Sequence, residues 1–361
     1  MSDQMNLRVI DFGTQPDIRS QAIYHGIARQ LGSDDDPVLT LVNPANPYVC
    51  VGRHQSVELE VDEDFCRANG LAVIRREVGG GAVYLDHNQL FFHFIYPRRL
   101  VPALVERMFP IFIEPVVNTY RRFGVEAVLR PINDIHVKGR KIGGTGAAHI
   151  DDASVAVGSF MFDFDFDMMA QCLRVPSEKF RDKLRQGLGD YITTMRRELG
   201  QPPSREAVIG AFLEQVARDL AVNIVASEPT GAELERIAEQ ERALTDPEWT
   251  YSVGRRLIEK GIKLAAGTHL TLHDHKAPGG LIRVQLLSRD GYIRDLDLTG
   301  DFTCLPDSAI PALVRALHGV RLERAALMEA IEAVYARTLM QTPGVTSADF
   351  AEAILAAEHR D

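Results

Sequence analysis

Residues 75–88 read RREVGGGAVYLDHN, and the fold turns on what this stretch does. Three successive glycines stand between a pair of arginines and a strand-like Ala82-Val83-Tyr84. A flexible linker would add serines and further glycines, and a buried strand does not tolerate so many residues without side chains. The pattern predicts a backbone that comes very close to something, with positive charge beside it. A second glycine-rich stretch, RPINDIHVKGRKIGGTG at 130–146, adds Asn133, Asp134 and Lys141. Backbone amides of glycine turns can point jointly at a phosphate. A lysine can neutralise charge on phosphate or carboxylate oxygens, and an aspartate can hold Mg²⁺ that travels with a nucleotide. Neither G-x-G-x-x-G nor G-x-x-x-x-G-K-[ST] is present, so spacing alone leaves a tight turn and a solvated lysine equally open.

Outward from these stretches the chain alternates helices and strands without a steady βαβ rhythm. LRVIDF reads as a strand, PDIRSQAIYHGIARQL as an amphipathic helix, and VLTLV and YVCVG as two strands joined by an Asn-Pro turn. VDEDFCRANG reads as a short helix closed by Asn69-Gly70, followed by the strand LAVIRRE. GAVYLDHNQLFFHFIYP predicts a strand pair turning near Asp86 to Asn88. In LVERMFPIFIEPVVNTYRRFG, Pro110 and Pro115 are expected to bend or break a helix. MFDFDFD alternates with period two, as a half-buried strand with its acids in water would. SREAVIGAFLEQVARDLAV is an amphipathic helix. Past Trp249 and Ser252 come the strands KLAAGTHLTLHDH and GGLIRVQLLSRDGYIRDLDLTG, with an Asp-Gly hairpin at 290–291, and then three helices. The expected class is α+β, a mixed or mainly antiparallel sheet with flanking helices over 1–252 and a small α+β domain over 253–361.

The chain has 361 residues, 45% hydrophobic and 25% charged, an ordinary globular composition. A net charge of −10 argues against nucleic acid as the main partner. The N-terminus reads as no signal peptide, and no run of about 18 apolar residues predicts a membrane span. Four scattered cysteines read as thiols of a reducing, cytoplasmic compartment.

GRHQ, RREVGGGAVYLD, NDIHVKGRKIGG and VGSFMFDFD, in that order, resemble the lipoate–protein ligase family within the wider biotin/lipoate ligase group, whose fold is class II synthetase-like. DPEWTY resembles the end of that family's catalytic domain, and residues 279–302 its C-terminal accessory domain. The resemblance implies an ATP- and Mg²⁺-dependent ligase. Lipoate or octanoate would be activated as an acyl-adenylate and passed to a lysine of an apo lipoyl-carrier protein, such as a lipoyl domain or a glycine-cleavage-H-like carrier. It implies nucleotide contacts from Arg76, Gly81, Ala82, Val83, Tyr84, Asn133, Asp134 and Lys141, and lipoate contacts from Arg75, Gly80, Lys141 and Gly158. Lys141 would be catalytic and Asp134 the Mg²⁺ ligand. An apolar tunnel for the acyl chain could draw on Val73, Val83 and Phe160, which could equally fill the core.

The chain departs from the family at Leu85-Asp86-His87-Asn88-Gln89, and at Val157 and Ser159 where the family has histidine and threonine. Rival readings are a cysteine-dependent octanoyltransferase using Cys172, a biotin ligase, and a non-catalytic carrier-binding module. Cys172 itself reads as a buried structural thiol. His269, His273 and His275 lack the partners a zinc site needs.

Overall fold

The computed structural model describes residues 4–254 and 268–358, which form two compact units. The first takes in residues up to Cys50, Val61–Glu77 and Val83–Thr250. The second takes in Val51–Glu60, Val78–Ala82 and the chain from Tyr251 onward.

The strands of the N-terminal part are β1 (Asn6–Gln15), β2 (Val38–Pro44), β3 (Tyr48–Val51), β4 (Ala72–Arg75), β5 (Val83–Leu85), β6 (Gln89–Pro97), β7 (Ala127–Arg130), β8 (Asp134–Val137), β9 (Arg140–Ile150), β10 (Ala153–Met161) and β11 (Asn223–Ala226). Eight of them form one sheet in the order β11-β1-β2-β6-β10-β9-β8-β7. β11, β1 and β2 run parallel, and every later neighbour is antiparallel. The mixed, mainly antiparallel α+β sheet is thus the expected one. β4, β3 and β5 make a separate small sheet.

β6 reads QLFFHFIYP and is buried along its whole length because both faces of the sheet are covered. Phe92 and Phe94 pack with Phe112 of the helix Val105–Arg122 and Phe212 of the helix Arg205–Asp219. On the opposite face His93 meets Tyr24 of the helix Asp17–Gln30. Phe160 lies among Phe92, Tyr120 and Phe212, fully buried, so it fills core.

Three local expectations need correction. β5 and β6 do not pair with each other but enter different sheets. At their junction the Asp86 carboxylate accepts from the Asn88 amide at 2.9 Å, a side-chain turn that redirects the chain. The helix Val105–Arg122 runs unbroken through both prolines. Pro110 and Pro115 withhold hydrogen bonds from the carbonyls of Glu106 and Ile111, which lie on the exposed side, while Met108, Phe109, Phe112, Ile113, Val116 and Tyr120 bury the other side. MFDFDFD is not a strand beyond Met161. Asp163 pairs with Arg196, Asp165 caps the helix Phe166–Cys172, and Asp167 pairs with Arg185.

In the second unit β12 (Thr268–Ala277), β13 (Gly280–Arg289) and β14 (Tyr292–Gly300) form an antiparallel sheet. The expected strand residues 263–267 lie outside the described residues. Asp290 and Gly291, both at positive φ, make the hairpin. The helices Ala309–Leu317, Arg324–Thr338 and Ser347–Glu358 close a core around Leu286, Leu298, Leu313, Ile331 and Phe350.

This unit also accounts for two of the three glycines. A Cβ on Gly79 would meet the Phe302 carbonyl at 2.8 Å, and one on Gly52 would meet the Gly80 carbonyl at 1.9 Å. Gly80 itself holds φ +95°. The close approach that the triplet foretold is to the chain's own backbone. Gly81 has no such need, since its nearest neighbour would be Asp301 at an ordinary 3.8 Å.

Candidate active site

The hairpin β8–β9 carries the site. Its register slips by one residue, so that Ile135 faces Gly143 and His136 faces Lys141, which leaves Ile142 as a bulge. Bulges re-aim side chains, and this one turns Lys141 toward Asp134. Lys141 Nζ lies 2.7 Å from Asp134 Oδ1, with both side chains partly exposed. Gly144 is the floor beneath this pair. A Cβ there would stand 3.0 Å from both Lys141 Cε and Nζ. The Lys141 carbonyl accepts from the Thr193 amide at 2.8 Å, which anchors the strand behind the ammonium.

Asn133 is clamped to Thr145. Its amide donates to the Thr145 carbonyl, and its own carbonyl accepts from Thr145 N at 3.0 Å and Thr145 Oγ1 at 2.9 Å. Gly158 stands opposite Thr145 on β10, where a side chain would strike Phe92 Cζ at 2.6 Å and Thr145 Cγ2 at 3.1 Å. Lys141, Asp134, Asn133 and Gly158 are therefore joined through β8, β9 and β10.

The remaining expected residues lie on β4, on the small sheet and in the second unit. Arg75 is fully buried, its guanidinium donating to the Thr250 carbonyl at 2.7 and 3.0 Å, while Trp249 Nε1 donates to the Arg75 carbonyl at 2.9 Å. That is a lock between β4 and the EWT segment. Arg76 donates to the Cys50 carbonyl at 3.0 Å. Val83 pairs with Cys50 on the small sheet, and the adjacent Tyr84 is buried. Burial, with Asp86, Asp165 and Cys172 nearby, pushes its phenol well up. Gly80, Gly81 and Ala82 belong to the second unit.

His136 was not foreseen. It is buried beside the pair, with Nδ1 3.2 Å from the Gly139 carbonyl and Nε2 3.8 Å from Asp134 Oδ2. Strand alternation two residues after Asp134 was the available signal. Thr193 comes from a distant segment and had none.

Cys172 is fully buried, and its hydrogen bond to Cys66 together with burial raises its thiol far above the usual range. No group of three or more metal-ligating side chains occurs among the described residues. No helix among them is long and apolar enough to cross a membrane.

Residues 19–217 match the lipoyl protein ligase A/B catalytic domain, and 270–354 match the bacterial lipoate protein ligase C-terminus. Lipoate-protein ligase LplJ of Bacillus subtilis is 27% identical over 314 residues, 87% of this chain and 89% of LplJ. Octanoyltransferase LipM of Symbiobacterium thermophilum is 25% identical over 253 residues, 64% of this chain and 92% of LipM. Among solved structures, a chain of the bipartite lipoate protein ligase of Thermoplasma acidophilum, studied with its E2 lipoyl domain, superposes with a TM-score of 0.64 at 26% identity, covering 70% of this chain and all of that one. A lipoate-protein ligase A bound with ATP gives 0.59 at 24%, covering 68% and 99%. With its site hairpin inside the matched catalytic domain and a matched C-terminal domain later in the sequence, the chain belongs to the lipoyl protein ligase A/B family.

Proposed function

We propose that the protein is an ATP-dependent ligase that activates lipoate or octanoate as an acyl-adenylate and transfers the acyl group to a lysine of an apo lipoyl-carrier protein. The observation that carries this reading is the Lys141–Asp134 pair on the bulged hairpin. A carboxylate and an α-phosphate repel, and a fixed ammonium between them offsets that repulsion as negative charge gathers. Lys141 acts electrostatically, held by Asp134 until substrate phosphate competes for it. The ATP-bound relative and the relative studied with a lipoyl domain support the choice of nucleotide and acceptor.

Asp134 fits Mg²⁺ in the manner usual for a nucleotide-borne ion, one carboxylate with the remaining ligands from phosphate and water. Among the described residues its Oδ2 has no donor within hydrogen-bonding distance, and Mg²⁺ would supply charge neutralisation there. Gly81, Ala82, Val83, Tyr84, Arg76 and Asn133 are proposed nucleotide neighbours. Gly80 and Gly158 are proposed along the acyl group. In transfer, the carrier amine forms the amide as the acyl–phosphate bond breaks. AMP leaves with the bonding pair, and the amine proton passes to solvent.

Removing one such preorganised cation costs on the order of 3–4 kcal/mol, roughly 10²–10³ in rate. Lys141→Ala is therefore expected to lose ATP–pyrophosphate exchange by that factor, and unchanged exchange would remove Lys141 from the mechanism. The LipM relatives make thiol-dependent transfer the competing reading. It predicts acyl transfer without ATP and its loss in Cys172→Ser, whereas the buried Cys172 is expected to tolerate that change.

A further inference from the structure

His136 stands two residues after Asp134 on β8 and opposite Lys141 on β9, so strand alternation sets the three side chains on one face of the sheet. The imidazole is 2% exposed, and its Nε2 is buried without a hydrogen-bond partner among the described residues. Native proteins rarely leave a buried polar atom unpaired, and one so placed calls for a group that uses it. The other ring nitrogen shows where the proton sits. Nδ1 lies 3.2 Å from the Gly139 carbonyl, which can only accept, so Nδ1 donates and Nε2 of the neutral ring presents a lone pair.

That lone pair meets a second acceptor. Asp134 Oδ2 is 3.8 Å from Nε2, and neither atom can donate to the other. Two acceptors brought together in this way suit a cation. With ligand bonds of about 2.1 Å, two donor atoms on one ion lie about 3.0 Å apart at a right angle and about 4.2 Å apart when opposite. The observed separation falls between those limits. An imidazole whose N–H is held by a backbone carbonyl is also the usual arrangement of a metal-ligating histidine. Asp134 Oδ1 meanwhile stays 2.7 Å from Lys141 Nζ, so one carboxylate can serve the ammonium and an ion together. Tyr191 lies edge-on to the ring at 5.8 Å between centroids, an apolar cover of the kind that surrounds metal ligands.

We propose that His136 Nε2 and Asp134 Oδ2 together hold the divalent ion that accompanies the nucleotide, and that the imidazole turns the site from Mg²⁺ toward a first-row transition ion. The proposal rests on the ligase reading above, which supplies phosphate and water as the remaining ligands. Carboxylate, phosphate and water suit Mg²⁺, whereas an imidazole nitrogen is a ligand of the transition ions. His136 is in this sense the residue that chooses the metal. By tying down Oδ2, the ion also fixes the carboxylate that aims Lys141.

The test uses the full chain with isotope-labelled histidine, so that ring nitrogens are told apart from those of adenine. Mn²⁺ is the probe, added alone and with ATP, and its nitrogen couplings are read by pulsed electron paramagnetic resonance. Coupling to a labelled ring nitrogen is expected in the wild type and is expected to vanish in His136→Val. In the presence of ATP that variant is expected to bind Mn²⁺ about tenfold more weakly, while Mg²⁺, followed by competition, changes by less than about twofold. The wild-type spectrum alone decides the matter should the variant fold poorly. Absence of ring-nitrogen coupling in the wild type would overturn the proposal and leave a water between Nε2 and Oδ2. Coupling that persists in His136→Val would overturn it by placing the ion on another histidine. Ring coupling in the wild type with no tightening of Mn²⁺ binding by ATP would uphold the site and count instead against the ligase reading.

Discussion

At the residue scale the site depends on an absent side chain as much as on a present one. Lys141 reaches Asp134 by lying across Gly144, and a methyl group there would press on Cε and Nζ at 3.0 Å. The end of a lysine is flexible, so Gly144→Ala is expected to leave the fold intact while moving the ammonium off Asp134. A misplacement approaching an ångström costs up to about 10² in rate. We expect a loss of tenfold to a hundredfold in ATP–pyrophosphate exchange with an unchanged circular dichroism spectrum. Gly143→Ala is the control, since its Cβ would meet nothing closer than the Ser159 carbonyl at 3.5 Å. Equal losses in the two variants would mean that Gly144 does not shape the position of Lys141. Lys141 and Asp134 were legible in the sequence because one hairpin carries both. The floor was not, because the bulge that puts Gly144 under Lys141 depends on strand register. Adjacent arginines look alike in sequence, and only the chain's return at Thr250 distinguishes Arg75 from Arg76.

At the scale of elements, packing decides wherever local preference and tertiary burial disagree. Periodicity foresaw the helix Val105–Arg122, and proline chemistry foresaw a break that does not occur. A proline inside a helix costs about 3 kcal/mol, and the stripe from Met108 to Tyr120 buries enough apolar surface to exceed that twice. Pro110 lies on the exposed side, so its ring contributes little packing to offset its cost. Pro110→Ala restores a donor to the Glu106 carbonyl, against a loss of about 0.4–1 kcal/mol from a freer unfolded chain. The net expectation is a gain of about 1–2 kcal/mol, read as a higher urea midpoint at unchanged slope. A lower midpoint would mean that the proline is needed to shape the helix. MFDFDFD failed as a strand for a different reason. Each of its aspartates has a local task, Asp165 as a helix cap and Asp163 and Asp167 in ion pairs, and period two is a coincidence of those tasks.

At the scale of the whole molecule, the large sheet holds two neutral imidazoles between its strands and the helix Asp17–Gln30, which makes stability a function of pH. His25 donates from Nδ1 to the Gln21 carbonyl at 2.8 Å, and its Nε2 accepts from the Glu77 amide at 3.2 Å. Both nitrogens are thus occupied only when the ring is uncharged. His93 meets Thr40 Oγ1 at 2.7 Å on the neighbouring strand. Burial lowers both to about 3, with Arg29 adding to the effect on His25 and His25 adding to that on His93. In the unfolded chain each takes up its proton near pH 6.5. Below that pH the unfolded state binds more protons, so stability falls with pH, by about 1.4 kcal/mol per unit for each ring, until about pH 3. A carboxylate contributes at lower pH. Burial raises the Glu233 carboxyl, but hydrogen bonds from Arg8 and Thr230 and the Arg8 charge more than reverse this and leave it below the usual range. Its contribution is complete above the unfolded carboxylate range and is lost only as pH falls through and below about 4.3. His149 on β9, half-buried, is lowered to about 4 by burial with Arg98 adding to the effect, and acts in the same sense, reduced by solvent screening. Between pH 6 and 5 these three histidines should therefore dominate. The unfolding free energy from urea titrations is expected to drop across that interval by about 2–4 kcal/mol. His93→Gln keeps a hydrogen-bonding group toward Thr40 and removes one titrating ring. Whatever it does to stability at pH 8, it is expected to lower the slope between pH 6 and 5 by about a third to a half. A slope equal to that of the parent would show that His93 is already charged in the folded sheet.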